Sequence, residues 1–408
     1  MPRINKDRYI SSDWMQREWE QVWKKSWQIA VPLSDLKAPG DFAVYQLGPE
    51  SILLSCTEAG EIKAFYNVCQ HRGMRLVADH CGHSDSFRCP YHSWRYNGQG
   101  QLTYAPDTEG FSDGLAPEQV GLGPVRCELA LGFAWISLDD EIEPLADYLS
   151  DMLPLLSHYE FENMTLLQDQ TVLVNCNWKA VHDNFSELYH VPYLHPQHRR
   201  FVDCTAATDE LYPAGHTRVC VPGGTTDSRF DTPVMPTDIL CMQLEALGLD
   251  PADYENRVDE VQAVIRKEKR KLAATTPYYN NFSDTELSDV MQTNVFPNAI
   301  FSYQPEMLWL IRPRPHETDP NRCYLDKLSF ERFPAAEQTQ RPTHDVFSYT
   351  DVMAGNKSMT DTIDQDLSLL SQAQQGMLSD GFQELWLNDR ESRIHHFHQR
   401  LDELIGLN

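Results

Sequence analysis

The chain has 408 residues, 41% of them hydrophobic, with 34 Lys+Arg against 60 Asp+Glu and a formal net charge of -26. That length calls for more than one core, and the apolar fraction can fill two or three. The acidic balance excludes a general nucleic-acid binder, which needs a basic face, and is compatible with solubility or with docking a basic protein partner.

In chain order, SDWMQREWEQVWKKSW (12–27) places Trp14, Trp19, Val22 and Trp27 near helical spacing behind a Ser/Asp cap, which predicts a helix. From PGDFAVYQLG onward, short alternating runs (DFAVYQL, SILLSC, IKAFYNV) broken by Gly, Pro and Asn predict antiparallel strands as far as GFAWISL at 132–138. EPLADYLSDMLPLL then reads as helical and opens a new region. TVLVNCNWKAVHDNFSELYH reads as a strand running into a helix. Residues 253–274 form a strongly charged helix with a solvated face. Strands are expected near 299–312 and 322–330, and closing helices around 360–375 and 390–404. No apolar run approaches the ~20 residues that span a bilayer, and no secretory signal is visible at the N-terminus. The ten cysteines are loosely scattered, as expected of reduced thiols in the cytoplasm.

Two short stretches, NVCQHRG and RCPYHSW, give Cys69-x-His71, 17 intervening residues, and Cys89-x-x-His92. Zinc could take all four side chains in one tetrahedron. A [2Fe-2S] cluster of the Rieske kind would give one iron both cysteines and the other both histidines. Gly73 after one pair and Pro90 inside the other suit tight turns, so two loops can approach one cluster side by side. The pattern resembles a Rieske domain. The resemblance implies the oxygenase type, because the loops lack the extra cysteines that form a disulfide in respiratory Rieske proteins; Tyr91 stands in the second loop.

Downstream, NWKAVHDNFSELYHVPYLHP supplies Glu187, His190 and His195. Two histidines with one carboxylate make the facial set of non-haem Fe(II) oxygenases. His190 and His195 are five apart, a poor match to one face of a straight helix, and Pro192 between them is expected to end or bend a helix so that both reach one metal. With the Rieske pattern, the chain resembles the large (alpha) subunit of Rieske non-haem iron aromatic-ring-hydroxylating oxygenases, over most of its length.

The resemblance implies an α+β fold in three parts: an N-terminal helical segment (1–38) on the catalytic domain, a β-rich Rieske [2Fe-2S] domain (39–145), and a mononuclear non-haem iron catalytic domain (146–408) with an antiparallel sheet packed by helices. It makes Glu187 a bridge from His190 to the partner subunit's His92. The common residue there is Asp; Glu resembles branches that include carnitine and betaine monooxygenases. It makes Asp366 the third iron ligand, eight residues before Gln374 and ahead of Gly376-Met377. Asp361 and Asp364 are then helix-start carboxylates favoured by the dipole. The run HHFH (395–398) sits on an amphipathic helix without carboxylate–His spacing, so no separate metal site is expected there.

The implied activity is that of a terminal oxygenase. NAD(P)H electrons arrive through a separate reductase or ferredoxin, pass through the cluster to Fe(II), and O2 is used to hydroxylate an aromatic substrate. No dinucleotide-binding fingerprint appears, so the reductase is another chain. The alternative substrate is a quaternary ammonium compound that is N-demethylated, for which 9 Trp, 17 Tyr and 17 Phe could form a cation–π cage. A rival class, a pure electron carrier, needs no open iron site. The family architecture also implies a homo-oligomer, a trimer, with catalysis across subunits, and neither nucleic acid nor membrane as partner.

Overall fold

Alternating side chains make Asp41–Leu47, Glu50–Cys56 and Ile62–Tyr66 consecutive antiparallel strands. In the computed structural model, which describes residues 3–116, 119–334 and 340–407, they form the middle of a seven-stranded sheet. Pro124–Ala130, Phe133–Ser137 and Gln28–Pro32 extend one edge, and Cys81–His83 closes the other. A small three-stranded sheet, Ser86–Arg88, Arg95–Asn97 and Leu102–Tyr104, stands beside it over buried Phe42, Leu53, Phe65, Phe87 and Tyr96.

The leading helix runs from Ser12 to Glu18 and continues as one widened turn, Trp19–Trp23, with Ser11 Oγ accepting from Trp14 N at 3.4 Å. Val22 and Trp23 are buried beneath it. The chain leaves the helix before Trp27, which packs in a different cluster and donates Nε1–H to the Glu143 carbonyl. The strand Gln28–Pro32, within the segment 1–38, belongs to the seven-stranded sheet.

The second sheet has eight strands. Its spatial order is Thr208–Leu211, Thr217–Val221, Val290–Val295, Ala299–Gln304, Met307–Pro315, Cys323–Glu331, Thr165–Val174 and His344–Ser348. All neighbours are antiparallel except the last pair, in which Asp169 lies opposite His344 in parallel register. Helices Trp178–Asn184, Asp361–Met377 and Ser392–Ile405 pack around it. The shared core unites Val172, Trp178, Leu367 and Leu401 with Ala43, Leu54 and Ile136 of the first sheet. The fold is α+β, a β-rich first domain and a sheet-containing second one. The expected helix at 253–274 shortens to Val261–Leu272 after two 3-10 turns, and its inner face buries Val261, Ile265 and Lys269. The helical reading of 143–156 resolves into two single turns, Leu145–Tyr148 and Leu153–Leu156.

Candidate metal centres

The two Cys/His loops fold alike. Cys69 N donates to the Met74 carbonyl and Gly73 N returns to the Cys69 carbonyl; Cys89 N donates to Trp94 O and Ser93 N returns to Cys89 O. The fourth residue after each cysteine takes a left-handed backbone, Gly73 at φ +71° and Ser93 at φ +64°. This geometry turns each loop back under its own cysteine. Both thiols are 1% exposed. Burial raises the Cys69 thiol, partly offset by its contact with the Tyr96 hydroxyl at 3.5 Å. The His71 and His92 rings lie 4.5 Å apart, and Trp94 stacks on His71 at 4.9 Å. In both rings Nδ1 is buried and has no hydrogen-bond partner among the described residues. Two thiols behind and two bare ring nitrogens in front fit a cluster with one thiolate-bound and one imidazole-bound iron.

The second centre forms where three elements meet. His190 caps the four-residue helix Val191–Leu194 and His195 ends it. Pro192 stands in that helix's first turn, where its missing N–H costs nothing, so it starts a helix and does not bend one. The short helix sets the two imidazoles at its opposite ends with rings 5.2 Å apart. Asp366, 2% exposed on helix Asp361–Met377, faces both: its Oδ1 is 3.0 Å from His195 Nε2 and 3.5 Å from His190 Nε2. One donor atom from each of the three lies within 4.8 Å of the others.

The far ring nitrogens are held as well. His190 Nδ1 donates to Glu187 Oε1 and His195 Nδ1 donates to Gln365 Oε1 at 2.6 Å, so in their neutral form both rings present a bare Nε2 toward Asp366. Burial pulls the His190 imidazole down, but Asp366 and Glu187 outweigh it and lift the group to about 9. Burial raises the Asp366 carboxyl, and the two histidines more than reverse that. Two carboxylates around two imidazoles favour a cation, and an N2O set with open positions suits Fe(II).

Glu187 also accepts from the backbone N–H groups of Tyr189 and His190, so its carboxylate caps the turn that carries the first histidine. Asp364 accepts from Met359 N at the helix start, and Asp361 lies in the same first turn. Gln374 receives Asn177 N at 2.9 Å, tying Asp366's helix to the strand end before Trp178. Gln365, absent from the sequence reading, carries no motif signal, since any polar residue beside a ligand would read the same. Within HHFH, His398 is buried against Asp183 at 3.2 Å and the Tyr9 hydroxyl at 3.0 Å, a structural network.

Residues 161–407 match the family model described as ring hydroxylating alpha subunit (catalytic domain), and residues 26–117 match the Rieske [2Fe-2S] domain. The chain belongs to the ring-hydroxylating alpha-subunit family: a [2Fe-2S] domain followed by a non-haem iron domain. It is 30% identical over 189 residues to the glycine betaine monooxygenase oxygenase subunit of Pseudomonas aeruginosa (strain UCBPP-PA14), covering 46% of this chain and 44% of that protein. It is 32% identical over 188 residues to the large oxygenase component of the naphthalene 1,2-dioxygenase system of Pseudomonas aeruginosa, covering 44% and 41%. The matched stretch thus spans less than half the length of these curated relatives. Among solved structures, a quaternary ammonium Rieske monooxygenase in complex with L-carnitine superposes with a TM-score of 0.71 at 18% identity, covering 98% of this chain and 95% of that one. A naphthalene 1,2-dioxygenase with indole bound gives 0.73 at 19%, covering 99% and 92%.

Proposed function

We propose that the chain is the terminal oxygenase of a multicomponent system, using electrons from a separate reductase or ferredoxin to hydroxylate an aromatic substrate with O2. The observation that carries this reading is that one chain holds both a cluster-type Cys/His pair of loops and an N2O trio with open positions. Cys69, Cys89, His71 and His92 would hold the [2Fe-2S] cluster; His190, His195 and Asp366 would hold Fe(II). When bound, the pair supplies one-electron transfer and O2 activation. Glu187 and Gln365 fix the tautomers of the iron histidines. A pure carrier would have no use for the second trio.

The reading includes transfer between subunits of a homotrimer, with Glu187 bridging to the partner subunit's His92. Exposed Tyr91 and Met74 beside the cluster loops, and exposed Tyr189 and Tyr193 beside Glu187, support it as apolar surfaces suited to contact. The reading keeps the division 1–38, 39–145 and 146–408, with Gln28–Pro32 of the first segment contributing an edge strand to the sheet of the Rieske domain. No helix among the described residues is long and apolar enough to cross a membrane, and all ten cysteines are unpaired, which supports a reducing, cytoplasmic setting. A second substrate reading, N-demethylation of a quaternary ammonium compound, is favoured by Glu187 in place of the commoner Asp and by the betaine and carnitine relatives.

The deciding experiment supplies the loaded protein with a generic reductase, NADH and O2 against panels of arenes and trimethylammonium compounds. Ring-hydroxylated product supports the first reading, formaldehyde release the second; no substrate-dependent O2 uptake with either panel, despite full cluster and iron, overturns both. For the transfer route, His92→Ala mixed with His190→Ala is expected to recover partial turnover in hybrid oligomers. A turning-over monomer would refute it.

A further inference from the structure

A second trio of donors lies where the first domain meets the second sheet. His80 Nε2 is 3.2 Å from Asp169 Oδ2, His344 Nδ1 is 3.9 Å from Asp169 Oδ1, and one donor atom of each lies within 4.8 Å of the other two. Asp169 is 5% exposed, and the two rings meet edge to face with centroids 3.8 Å apart. His80 belongs to the stretch between the two Cys/His loops. Asp169 and His344 are register partners on adjacent strands.

The hydrogen bonding defines the tautomer of His344. The single proton of the Thr171 hydroxyl goes to Asp326 Oδ1 at 2.8 Å, because a carboxylate can only accept. Thr171 Oγ1 must therefore accept from His344 Nε2–H at 3.1 Å, which leaves Nδ1 bare in the neutral ring. That nitrogen is buried, has no hydrogen-bond partner among the described residues, and lies 3.9 Å from Asp169 Oδ1. A buried ring nitrogen without a proton or a partner, beside a carboxylate oxygen, is a donor pair that a cation between them would satisfy. The relay His344–Thr171–Asp326 is the kind of outer support that orients a metal-bound imidazole.

We propose that His80, His344 and Asp169 form a binding site for a divalent ion of the zinc class, separate from the cluster and the iron site, that fastens the first domain to the eight-stranded sheet. The three donors are N2O, and one donor atom from each lies within 4.8 Å of the other two, close enough to converge on one ion. Arg341 also touches Asp169 Oδ2, at 2.7 Å, but its guanidinium makes two bonds to Asp35, so that carboxylate offsets its charge. A cavity of about 260 Å³ opens onto His80, Asp169 and His344 and leaves room for a water as fourth ligand.

The test uses cluster-loaded protein carrying His195→Ala, so that the iron trio is disabled and independent of the result. Equilibrated with Zn²⁺ or Co²⁺, it is expected to bind about one ion per chain beyond the cluster iron. His80→Ala and His344→Ala added to that background should each abolish uptake with cluster absorbance unchanged, and Zn²⁺ should raise the melting temperature only where the trio is intact. Thr171→Val, which removes the relay, should weaken binding about tenfold to a hundredfold. Asp169→Asn also breaks the Arg341 pair, so the histidine variants decide. If the parent takes up no ion, or the histidine variants take up as much as the parent, the site is only a hydrogen-bonded joint.

Discussion

Replacing Glu187 by Gln isolates what a carboxylate does behind an iron histidine. One oxygen accepts from His190 Nδ1, while the other accepts from Tyr189 N and His190 N. All three partners are donors, so the amide NH2 of Gln must face an N–H whichever way it turns. An unsatisfied donor in a site whose carboxylate is 10% exposed costs about 1–3 kcal/mol. Loss of an outer-shell partner reduces metal affinity about tenfold to a hundredfold, a deficit that excess Fe(II) overcomes. The expected variant thus keeps its cluster spectrum and, in excess Fe(II), its mononuclear iron. Turnover should nevertheless fall at least about a hundredfold, as when the acid behind a catalytic histidine is neutralised. Cluster absorbance, iron analysis and stopped-flow single-turnover reduction of the iron site measure the three quantities separately. A variant with unchanged turnover would reduce Glu187 to a turn cap. One that cannot be reloaded, yet transfers electrons normally in whatever sites remain filled, would make Glu187 a direct ligand and reopen the role of Asp366.

Cys89→Ser should abolish the visible absorbance of the cluster, because the hydroxyl replaces the thiolate that the iron needs; retained absorbance with acid-labile sulfide would refute that ligand set. In iron-free protein, the His190 group near 9 lies above its unfolded value of ~6.5 and contributes about 3 kcal/mol below pH 6.5, lost as pH rises through about 9. Denaturant titrations at pH 6 and 9.5 should show that loss, and His190→Ala should flatten it. Glu18→Ala would strand Lys179, which is fully buried and paired with it at 2.7 Å, at a cost of about 3–5 kcal/mol. The double variant Glu18→Leu/Lys179→Met should recover most of that in the same melts.

The parts legible in the sequence were those whose chemistry is local. Cys69-x-His71 and Cys89-x-x-His92 declare themselves because each loop must present two donors within one tight turn. Strands such as Glu50–Cys56 follow from alternation. The five-residue step from His190 to His195 was harder: the spacing looked wrong for one helix, and the structure resolves it with a single turn, Val191–Leu194, that has Pro192 in its first positions. What stayed hidden depends on distant pairings. His344–Ser348 joins Thr165–Val174 in parallel across some 170 residues of chain, and no periodicity announces which strand a short edge segment will choose. Gln365 and Thr171 gain importance only from the histidine that each one touches.

Both ends of the chain brace the element that leads to the His190, His195 and Asp366 trio. Helix Trp178–Asn184 ends three residues before Glu187, so any tilt of it moves His190. Its Lys179 and the Trp178 indole N–H both bind Glu18 of the leading helix, and its Asp183 accepts from the Tyr9 hydroxyl while packing against His398 of the closing helix. Burial alone would raise the Asp183 carboxyl; His398 and His182 hold it ionised instead. Histidines that look like spare metal ligands in HHFH are thus used as a strut. A buried ionic brace is a poor source of net stability, since its desolvation offsets much of the attraction, but it penalises every arrangement in which a partner is missing. That property suits a site that must hold two imidazoles and a carboxylate from separate elements within a few ångströms of one another.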